Sequence, residues 1–324
     1  MPRKIRLVTT CMGGVRKASA EESRDYMLGV LDRACKLEPD IVCLPENFVT
    51  VGLAGRASEK AEPLPGPTTD ACARRAREHG TYVVCPLTNR RDGAVYNSAV
   101  LLDRRGAICG VYDKVQPVTS RADFTEVERG VTPGAEAPVF ELDFGRVGCQ
   151  ICFDLGFPET WQQLADRGAE LVFWPSAYDG GFPLRVYAWL HKYYVASSVR
   201  SMHARIISPL GEELEHTGRH VSIASRVIDL DYIVCHYDFH GGIPEKLMAA
   251  YGPGVTVRSC GEEGHFLVES NSDDVPLAAM VEAFGLESAR DYHARHLPAY
   301  EALRAGRAPE PQSPPYLDRE QWSG

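Results

Sequence analysis

A long hydrophobic run is absent from this sequence. The chain has 324 residues, 44% of them hydrophobic and 24% charged, and no apolar stretch approaches the ~20 residues that a membrane-spanning helix needs. The N-terminus, MPRKIRLVTTCMGG, has basic residues near its start but only a short, broken apolar run, too little for a signal-peptide core. The sequence therefore predicts a soluble, cytoplasmic protein with no membrane partner.

Blocks of lysine and arginine are also missing. The chain carries 35 basic and 44 acidic residues, giving a net charge of −9 that is spread along the sequence rather than gathered into a tail. Proteins that follow a phosphate backbone concentrate positive charge on one surface. Nucleic acid is therefore not expected as a partner.

A second close pair of cysteine or histidine ligands is lacking as well. The ten cysteines lie mostly inside apolar runs, which is typical of buried thiols in a chain without a secretion signal. His216 with His220, and His236 with His240, have no cysteine pair that clearly partners them at zinc-ligand spacing. We expect no disulfide framework, no metal and no cofactor.

Internal repeats and an obvious linker are absent, and strand-like and helical runs alternate along most of the chain. Residues 5–10 are strand-like, and Ser19 and Glu22 have the spacing of a capping box at the start of a helix. This alternation predicts one α/β domain over residues 1–270. Residues 271–324 are predicted to form a C-terminal extension, largely helical and ending in the Pro-rich segment PEPQSPPYLDREQW.

The segment GRVGCQICFDLGFPE contains two cysteines three residues apart, Cys149 and Cys152. The pair has three interpretations: a metal or redox Cys-x-x-Cys motif, a strand that happens to contain sulfur, or a turn that presents a nucleophile. Residues 147–151 are strand-like, so Cys149 is predicted to be buried and Cys152 to begin the turn before the next helix. A redox pair would instead stand at the start of a helix.

Two further chemically useful side chains end strand-like runs. Glu46 closes DIVCLPE and Lys114 closes AICGVYDK. In α/β proteins, ligands bind beyond the carboxyl ends of strands, where side chains leave the core. A single glutamate or lysine at such a place is usually just a solvated strand end, but together with Cys152 the two residues indicate a catalytic site.

These landmarks resemble the nitrilase superfamily of carbon–nitrogen hydrolases, in its amidase and carbamoylase branch. The resemblance rests on LPENF around Glu46, YNSAVLLDRRGAICGVYDK ending at Lys114, Thr132–Gly134, and DFGRVGCQICFDLGFPE followed by AELVFWPSA. It extends over roughly residues 4–240. The sequence departs from the commoner family pattern where Val-Gln-Pro follows the lysine, which puts the local substrate contacts in doubt.

The resemblance implies a four-layer α-β-β-α sandwich and a role for each landmark. Cys152 would be the nucleophile, Glu46 the general base and acid, and Lys114, with the backbone N–H of Phe153, the oxyanion-stabilising group. The family also places a second glutamate after the lysine, for which Glu126 and Glu128 are candidates; Glu126 is preferred on spacing. The substrate pocket would be shaped by residues expected in the loop after the next strand: Trp174, Ser176 and Tyr178.

The implied activity is hydrolysis of a non-peptide C–N bond in a small linear amide or N-carbamoyl compound, with release of ammonia. The pair Phe153-Asp154 after the cysteine favours this branch, because true nitrilases typically carry Trp-Glu there. The alternatives are a nitrilase and a non-catalytic binding protein on the same fold. The resemblance also suggests a homodimer or larger homo-oligomer, with the C-terminal extension lying across a partner subunit.

Overall fold

The computed structural model describes residues 3–317. Its α-helices, in chain order, are α1 (Ala20–Cys35), α2 (Ala57–Lys60), α3 (Pro67–His79), α4 (Pro158–Asp166), α5 (Phe182–His191), α6 (Ile243–Tyr251), α7 (Leu277–Phe284) and α8 (Ala289–Arg304). Short 3-10 helices cover Phe48–Thr50, Cys152–Gly156 and Gly252–Gly254. None of the helices in this described part is both long enough and apolar enough to cross a membrane.

The strands form three sheets. They are β1 (Lys4–Thr10), β2 (Ile41–Cys43), β3 (Glu62–Pro63), β4 (Tyr82–Arg91), β5 (Ala94–Leu102), β6 (Ile108–Asp113), β7 (Val139–Leu142), β8 (Gly145–Cys149), β9 (Leu171–Ser176), β10 (Tyr194–Val199), β11 (Arg205–Ile207), β12 (Glu213–His216), β13 (Ile223–Asp229), β14 (Tyr232–His236), β15 (Val255–Cys260) and β16 (His265–Ser270). The chain divides into two compact units: Ile5–Ile228, and Asp229 onward together with the N-terminal residues up to Lys4.

The unit Ile5–Ile228 contains two large sheets that face each other. The first has the order β13-β1-β2-β4-β5-β6, with β3 added beside β4, and the second has the order β12-β11-β10-β9-β8-β7. Thr10 of β1 and Ser198 of β10 approach to 3.2 Å between hydroxyl oxygens. Both hydroxyls donate to the carbonyl oxygen of Cys43 at the end of β2, at 2.9 and 3.1 Å. Hydrogen bonds thus join the two sheets at their strand ends.

Helices pack against the first and the second sheet and complete the predicted four layers, α-β-β-α. Helices α1 and α3 contact β2 and β4, while α5 contacts β10 and packs on α4. The predicted start of α1 is confirmed, because the Ser19 hydroxyl accepts a hydrogen bond from the Glu22 N–H at 3.1 Å. Met27, Leu31 and Ala34 then recur at helical spacing and are fully buried.

The C-terminal unit has its own sheet and core. Its strands are antiparallel in the order β14-β16-β15, and its core includes Phe266 and Met280. This division lies well before the predicted boundary at residue 270, because β14, β15 and β16 pair with one another rather than with the large sheets. The extension from residue 271 contains α7 and α8, and the part of the Pro-rich segment from residue 318 lies outside the described residues.

Candidate active site

Glu46 lies just beyond β2, where the chain leaves the first sheet, and its residue is only 3% exposed. Its carboxylate accepts hydrogen bonds from Asn97 at 2.9 Å and Lys114 at 3.1 Å, and Arg200 approaches it to 3.3 Å. Burial by itself raises the pKa of this carboxyl, but the two cations and the amide outweigh burial and hold the pKa of Glu46 below its usual value. Glu46 is therefore ionised at neutral pH.

Lys114 follows β6 directly and is 1% exposed. Its Nζ lies 3.1 Å from Glu46 Oε1 and 2.5 Å from Glu128 Oε1. Burial lowers the pKa of a lysine, yet the two carboxylates more than reverse that effect and raise the pKa of Lys114 above its ordinary value. This lysine is a fixed cation held between two glutamates.

The backbone around Lys114 is held by the predicted Thr132–Gly134 landmark. The Lys114 N–H donates to Asn97 O at 2.8 Å, and the Gly134 N–H donates to Lys114 O at 2.8 Å. A Cβ added at Gly134 would lie 2.2 Å from the carbonyl oxygen of Asp113. Glycine is required there because the two chain segments approach too closely for any side chain.

The glutamate that contacts Lys114, besides Glu46, is Glu128 and not Glu126, which the sequence analysis prefers. Glu128 binds Lys114 and also accepts from the Asn97 amide at 2.9 Å. Glu126 instead forms an ion pair of 2.6 Å with Arg56. Glu128 has a left-handed φ of 40°, and Glu126 lies two residues before it. Spacing along the chain does not distinguish them.

Cys152 lies three residues beyond the end of β8, where the 3-10 helix Cys152–Gly156 begins. Its φ of 48° is unusual for a residue with a side chain and stores strain in a sharp strand-to-helix turn. Cys149, at the end of β8, is fully buried, as predicted. Both thiols are free, so the described structure contains no disulfide between them.

The Cys152 thiol is protonated at neutral pH. Burial and the charge of Glu46 raise its pKa to about 11, even though Lys114, the N–H of Ala177 and the Ser176 hydroxyl all favour the thiolate. A thiolate is the competent nucleophile. An attack by Cys152 therefore needs an acceptor for the thiol proton, and Glu46 is an ionised carboxylate whose charge already acts on that thiol.

Asp154, which the sequence analysis uses only to favour one branch of the family, is a buried carboxylate that connects the turn at Cys152 to the segment around Lys114. It is fully buried and accepts from the Tyr112 hydroxyl at 2.6 Å and from the N–H groups of Ile151 and Gln116, both at 2.8 Å. Ile151 precedes Cys152, and Gln116 follows Lys114 by two residues. Burial raises the pKa of Asp154 to about 6 despite these donors.

The other predicted site residues lie close to Cys152 but not all in the expected loop. Trp174 and Ser176 belong to β9 and are fully buried, which corrects their placement in the following loop. Trp174 donates its indole N–H to Cys152 O at 3.1 Å, so it supports the turn. Tyr178 does follow β9, with its ring edge-on to Trp174 at 5.3 Å. Phe153 is the second residue of the 3-10 turn, where N–H groups lack an intrahelical acceptor.

Two cavities border this cluster of charges and meet at Gly52 and Arg200. One, of about 460 Å³, is lined by residues that include Asn47, Glu128 and Val131. The other, of about 390 Å³, is lined in part by Ala177, the residue whose N–H reaches Cys152. Volumes of this size suit small molecules.

Two other members of the cluster, Asn97 and Arg200, were not predicted. Asn97 lies in the middle of β5, and its polarity within a largely apolar strand is the one feature of the sequence that could have indicated a role for it. Arg200 directly follows the strand YVASSV. Glu46 and Lys114 were selected because they are polar side chains at strand ends, and the same reasoning would have selected Arg200. Among the described residues, no three His, Cys, Asp or Glu side chains are grouped so that they could hold a metal ion.

The sequence of this chain is similar to those of known enzymes. The chain is 29% identical to the omega-amidase NIT2 of Xenopus tropicalis over 232 residues, covering 63% of this chain and 84% of the relative. It is 29% identical to the beta-ureidopropionase of Arabidopsis thaliana over 160 residues, covering 47% of this chain and 39% of the relative.

Solved structures of other proteins have the same fold as this chain. An amidase from Nesterenkonia sp. superposes with a TM-score of 0.60 at 20% identity, over 70% of this chain and 91% of that one. The NitFhit protein of C. elegans gives a TM-score of 0.61 at 20% identity, over 70% of this chain and 61% of that one. The sequence model of the carbon-nitrogen hydrolase family matches residues 5–235, which is more than half of the chain. The protein therefore belongs to the carbon–nitrogen hydrolases, the nitrilase superfamily that its sequence resembles.

Proposed function

We propose that this hydrolase cleaves the C–N bond of a small linear amide or N-carbamoyl compound through a thioester on Cys152 and releases ammonia. The observation that supports this most is the pairing of a protonated thiol on a strained turn with a buried, ionised Glu46 held between two cations. The relatives' names, omega-amidase and beta-ureidopropionase, point to the same class of bond.

In the first half of the reaction, Glu46 takes the thiol proton while Cys152 Sγ bonds to the carbonyl carbon. The carbonyl oxygen becomes an oxyanion, which Lys114 and the N–H of Phe153 stabilise. When the intermediate collapses, the C–N bond breaks and Glu46 passes its proton to the departing nitrogen. Ammonia leaves and the acyl group remains on sulfur as a thioester.

In the second half, Glu46 removes a proton from water, and the resulting hydroxide attacks the thioester carbon. The same oxyanion contacts serve again. The C–S bond then breaks, and the thiolate recovers its proton from Glu46. The product is a carboxylate or, from an N-carbamoyl compound, a carbamic acid, whose remaining C–N bond then breaks without the enzyme to give a free amine and carbon dioxide.

Glu128 and Asn97 support this cycle by position. Glu128 accepts a hydrogen bond from the Lys114 ammonium at 2.5 Å, and the Asn97 amide donates to both glutamates. Because Lys114 has two carboxylate partners, it stays charged while Glu46 gains and then loses a proton in each half of the reaction. Glu128 therefore keeps the oxyanion partner in place rather than moving a proton itself.

The test is ammonia release across a panel of amides, ureido acids and nitriles, with Cys152→Ala as the matched control. We expect release from amides or ureido acids and none from the variant. Much faster turnover of nitriles than of every matched amide and ureido compound would show a nitrilase instead. Denaturing mass spectrometry of the enzyme mixed with a slow amide substrate should reveal one acyl group added to the chain, and none on Cys152→Ala.

A second probe is suggested by the solved amidase from Nesterenkonia sp. A structure of one of its mutants shows covalent addition of the acetamide moiety of fluoroacetamide at the active site cysteine. Fluoroacetamide should therefore label Cys152 of this protein and spare Cys149. Tandem mass spectrometry of the peptide that contains both cysteines would locate the label, because fragments that separate Cys149 from Cys152 show which of them carries the added mass.

A further inference from the structure

Buried aromatic side chains hold the 3-10 turn that begins at Cys152. Three carbonyl oxygens of the turn accept hydrogen bonds from them: Cys152 O from the Trp174 indole at 3.1 Å, Asp154 O from the Trp161 indole at 3.0 Å, and Leu155 O from the Tyr187 hydroxyl at 3.0 Å. The donors belong to β9, α4 and α5, which are elements of the second sheet and of the helices beside it. These bonds fix the turn on its own side of the sandwich.

Lys114 lies on the other side of the sandwich. It follows β6, a strand of the first sheet, whereas Cys152 comes after β8, a strand of the second sheet. The position of the thiol relative to the ammonium therefore depends on contacts that cross from one sheet to the other. Displacing a catalytic group by about 1 Å can cost about 100-fold in rate. Contacts that join these two segments are therefore candidates for a role in the reaction.

Asp154 makes such a contact with its side chain, which is fully buried. Its Oδ2 accepts from the N–H of Ile151, the residue before the cysteine, at 2.8 Å, and from the hydroxyl of Tyr112 in β6 at 2.6 Å. Its Oδ1 accepts from the N–H of Gln116, two residues after the lysine, at 2.8 Å. One carboxylate therefore joins the backbone beside the proposed nucleophile to the backbone beside the lysine.

We infer that Asp154 is a positioning residue of this hydrolase, whose ionised carboxylate sets the position of the Cys152 thiol relative to the Lys114 ammonium. The inference rests on the proposed function, in which both groups act on one substrate carbonyl. Asp154 acts through the N–H groups of Ile151 and Gln116 and moves no proton in the reaction. Hydrogen bonds to an ionised acceptor are about twice as strong as neutral ones. Loss of the charge therefore loosens both segments at once.

The charge of Asp154 depends on pH in an experimentally accessible range. Burial raises the pKa of Asp154 to about 6, although four neighbouring groups lower it: the Tyr112 hydroxyl, the N–H groups of Ile151 and Gln116, and the charge of Lys114. The carboxylate is therefore ionised at neutral pH and gains a proton below about pH 6.

The titratable groups that adjoin Asp154 do not change their protonation near pH 6. Burial raises the pKa of the two tyrosines and two thiols around the turn: Tyr112, Tyr187, Cys149 and Cys152. The pKa of Lys114 lies above its ordinary value, because two carboxylates outweigh its burial. A titration of this network near pH 6 therefore belongs to Asp154.

Protonation of Asp154 should determine where kcat falls in acid. The acid midpoint, which is the pH at which kcat has fallen to half of its plateau value, reports groups that titrate in the enzyme–substrate complex. Protonation of the base does not place it near pH 6, because the pKa of Glu46 is held below its usual value. Protonation of Asp154 does, since the two N–H groups then lose their charged acceptor. We expect the acid midpoint of the wild type at about pH 6.

The first variant removes the charge. Asp154→Asn should lower kcat at pH 8 about 10- to 100-fold, and it should change KM less than about 3-fold because it disturbs the reacting groups rather than uniform substrate binding. Its acid midpoint should move below the wild-type value, toward the pH at which Glu46 titrates. Both constants are measured for ammonia release between pH 4.5 and pH 9, on the amide or ureido compound that is hydrolysed fastest. A role in stability alone would reduce the amount of folded enzyme and leave the acid midpoint unchanged.

The second variant keeps the charge. Tyr112→Phe removes one donor that lowers the pKa of Asp154, while both N–H groups remain. Its acid midpoint should therefore rise by about one pH unit. Tyr187→Phe is the matched control, because it removes a buried hydroxyl that donates to Leu155 O of the same turn. Its acid midpoint should equal that of the wild type. Circular dichroism at each pH establishes that every variant is folded.

The outcomes separate this inference from the proposed function. A wild-type acid midpoint near pH 6 that falls in Asp154→Asn and rises in Tyr112→Phe supports the inference. An acid midpoint at or below about pH 5 in the wild type, where a glutamate titrates, or one that is equal in all the variants, overturns it and leaves the hydrolase function standing. If Asp154→Asn does not fold, the wild-type midpoint and its shift in Tyr112→Phe decide. Ammonia release from no amide or ureido compound overturns the proposed function and this inference with it.

Discussion

Two buried carboxylates of this protein, one in each compact unit, have similar burial but different surroundings. Glu46 and Glu287 are each 3% exposed. Glu46 has Lys114, Arg200 and Asn97 as partners. Glu287 is paired with Arg295, accepts from the Tyr316 hydroxyl at 3.1 Å, and lies 3.6 Å from His236 Nε2.

The difference lies in what adjoins each carboxylate. Beside Glu46 are a thiol on a strained turn and two cavities, whereas Glu287 is packed among aromatic side chains, including His236 stacked on Tyr292 at 3.7 Å. A buried, ion-paired carboxylate is therefore not by itself a sign of catalysis. The proposed nucleophile and the adjoining cavities are what distinguish the first cluster, and the second has the character of a structural network.

The largest expected effect is that of the nucleophile. Cys152→Ala should lower kcat at least about 10⁴-fold, since the covalent route is lost, and leave the fold intact. Cys149→Ala should retain most of the activity and lose about 1 kcal/mol of stability from the core. Ammonia assays and urea unfolding measure the two effects. Equal loss of activity in both variants would show a coupled pair and contradict the assignment of roles.

The two carboxylates should respond in opposite ways to the same change. Glu46→Gln removes the proton acceptor and should lower kcat by about 10²- to 10⁴-fold while the protein stays folded. Glu287→Gln should instead lower the free energy of unfolding by about 1–3 kcal/mol, because Arg295 and His236 lose their charged partner. Its kcat per folded molecule should be unchanged. A strong kcat effect in Glu287→Gln would remove the distinction drawn between the two clusters.

The two candidate second glutamates provide a finer comparison within the active-site unit. Glu128→Gln weakens the hold on Lys114 and should reduce kcat about 10- to 100-fold. Glu126→Gln affects the ion pair with the half-exposed Arg56 and a hydrogen bond from the Ser120 hydroxyl, neither of which involves Lys114, and it should change kcat less than about 3-fold. Steady-state kinetics on one substrate suffices. The reverse order of effects would restore the preference that spacing along the chain suggested.

The smallest effect concerns pH and the C-terminal network. Burial lowers the pKa of His236 from 6.5 to about 3, so the unfolded chain binds more protons between those values. Stability should therefore fall as the pH drops below 6.5, by up to about 1.4 kcal/mol per pH unit. The loss of stability below pH 6.5 should be smaller in His236→Phe, because phenylalanine does not bind a proton.

His220→Gln, at an exposed position, is the control for that measurement. The free energy of unfolding by urea is measured for the three proteins at pH 7, 6 and 5. Other groups, Asp154 among them, titrate in all three proteins, so their contribution cancels when the pH dependences are subtracted. An identical pH dependence in wild type and His236→Phe would show that this histidine is not held neutral by the fold.

Much of the architecture was predictable because it depends on local patterns. The cap at Ser19, the helical spacing of Met27 and Leu31, and the strand-like runs ending near Glu46, Lys114 and Cys152 are all read from neighbouring residues. Periodicity also predicted that Cys149 is buried. The α/β class and the identities of these three polar residues follow from the order of the chain alone.

The sequence by itself determined which chemical groups are available and that strands and helices alternate in a family-specific order. Only the tertiary structure decided that Glu128 rather than Glu126 meets Lys114, that Asn97 and Asp154 join separate strands, and that Arg200 reaches Glu46. It also decided that β14–β16 form a separate unit. These contacts join residues far apart in the chain, and whether they form depends on strand register, a left-handed turn and the packing of two sheets, none of which a local pattern records.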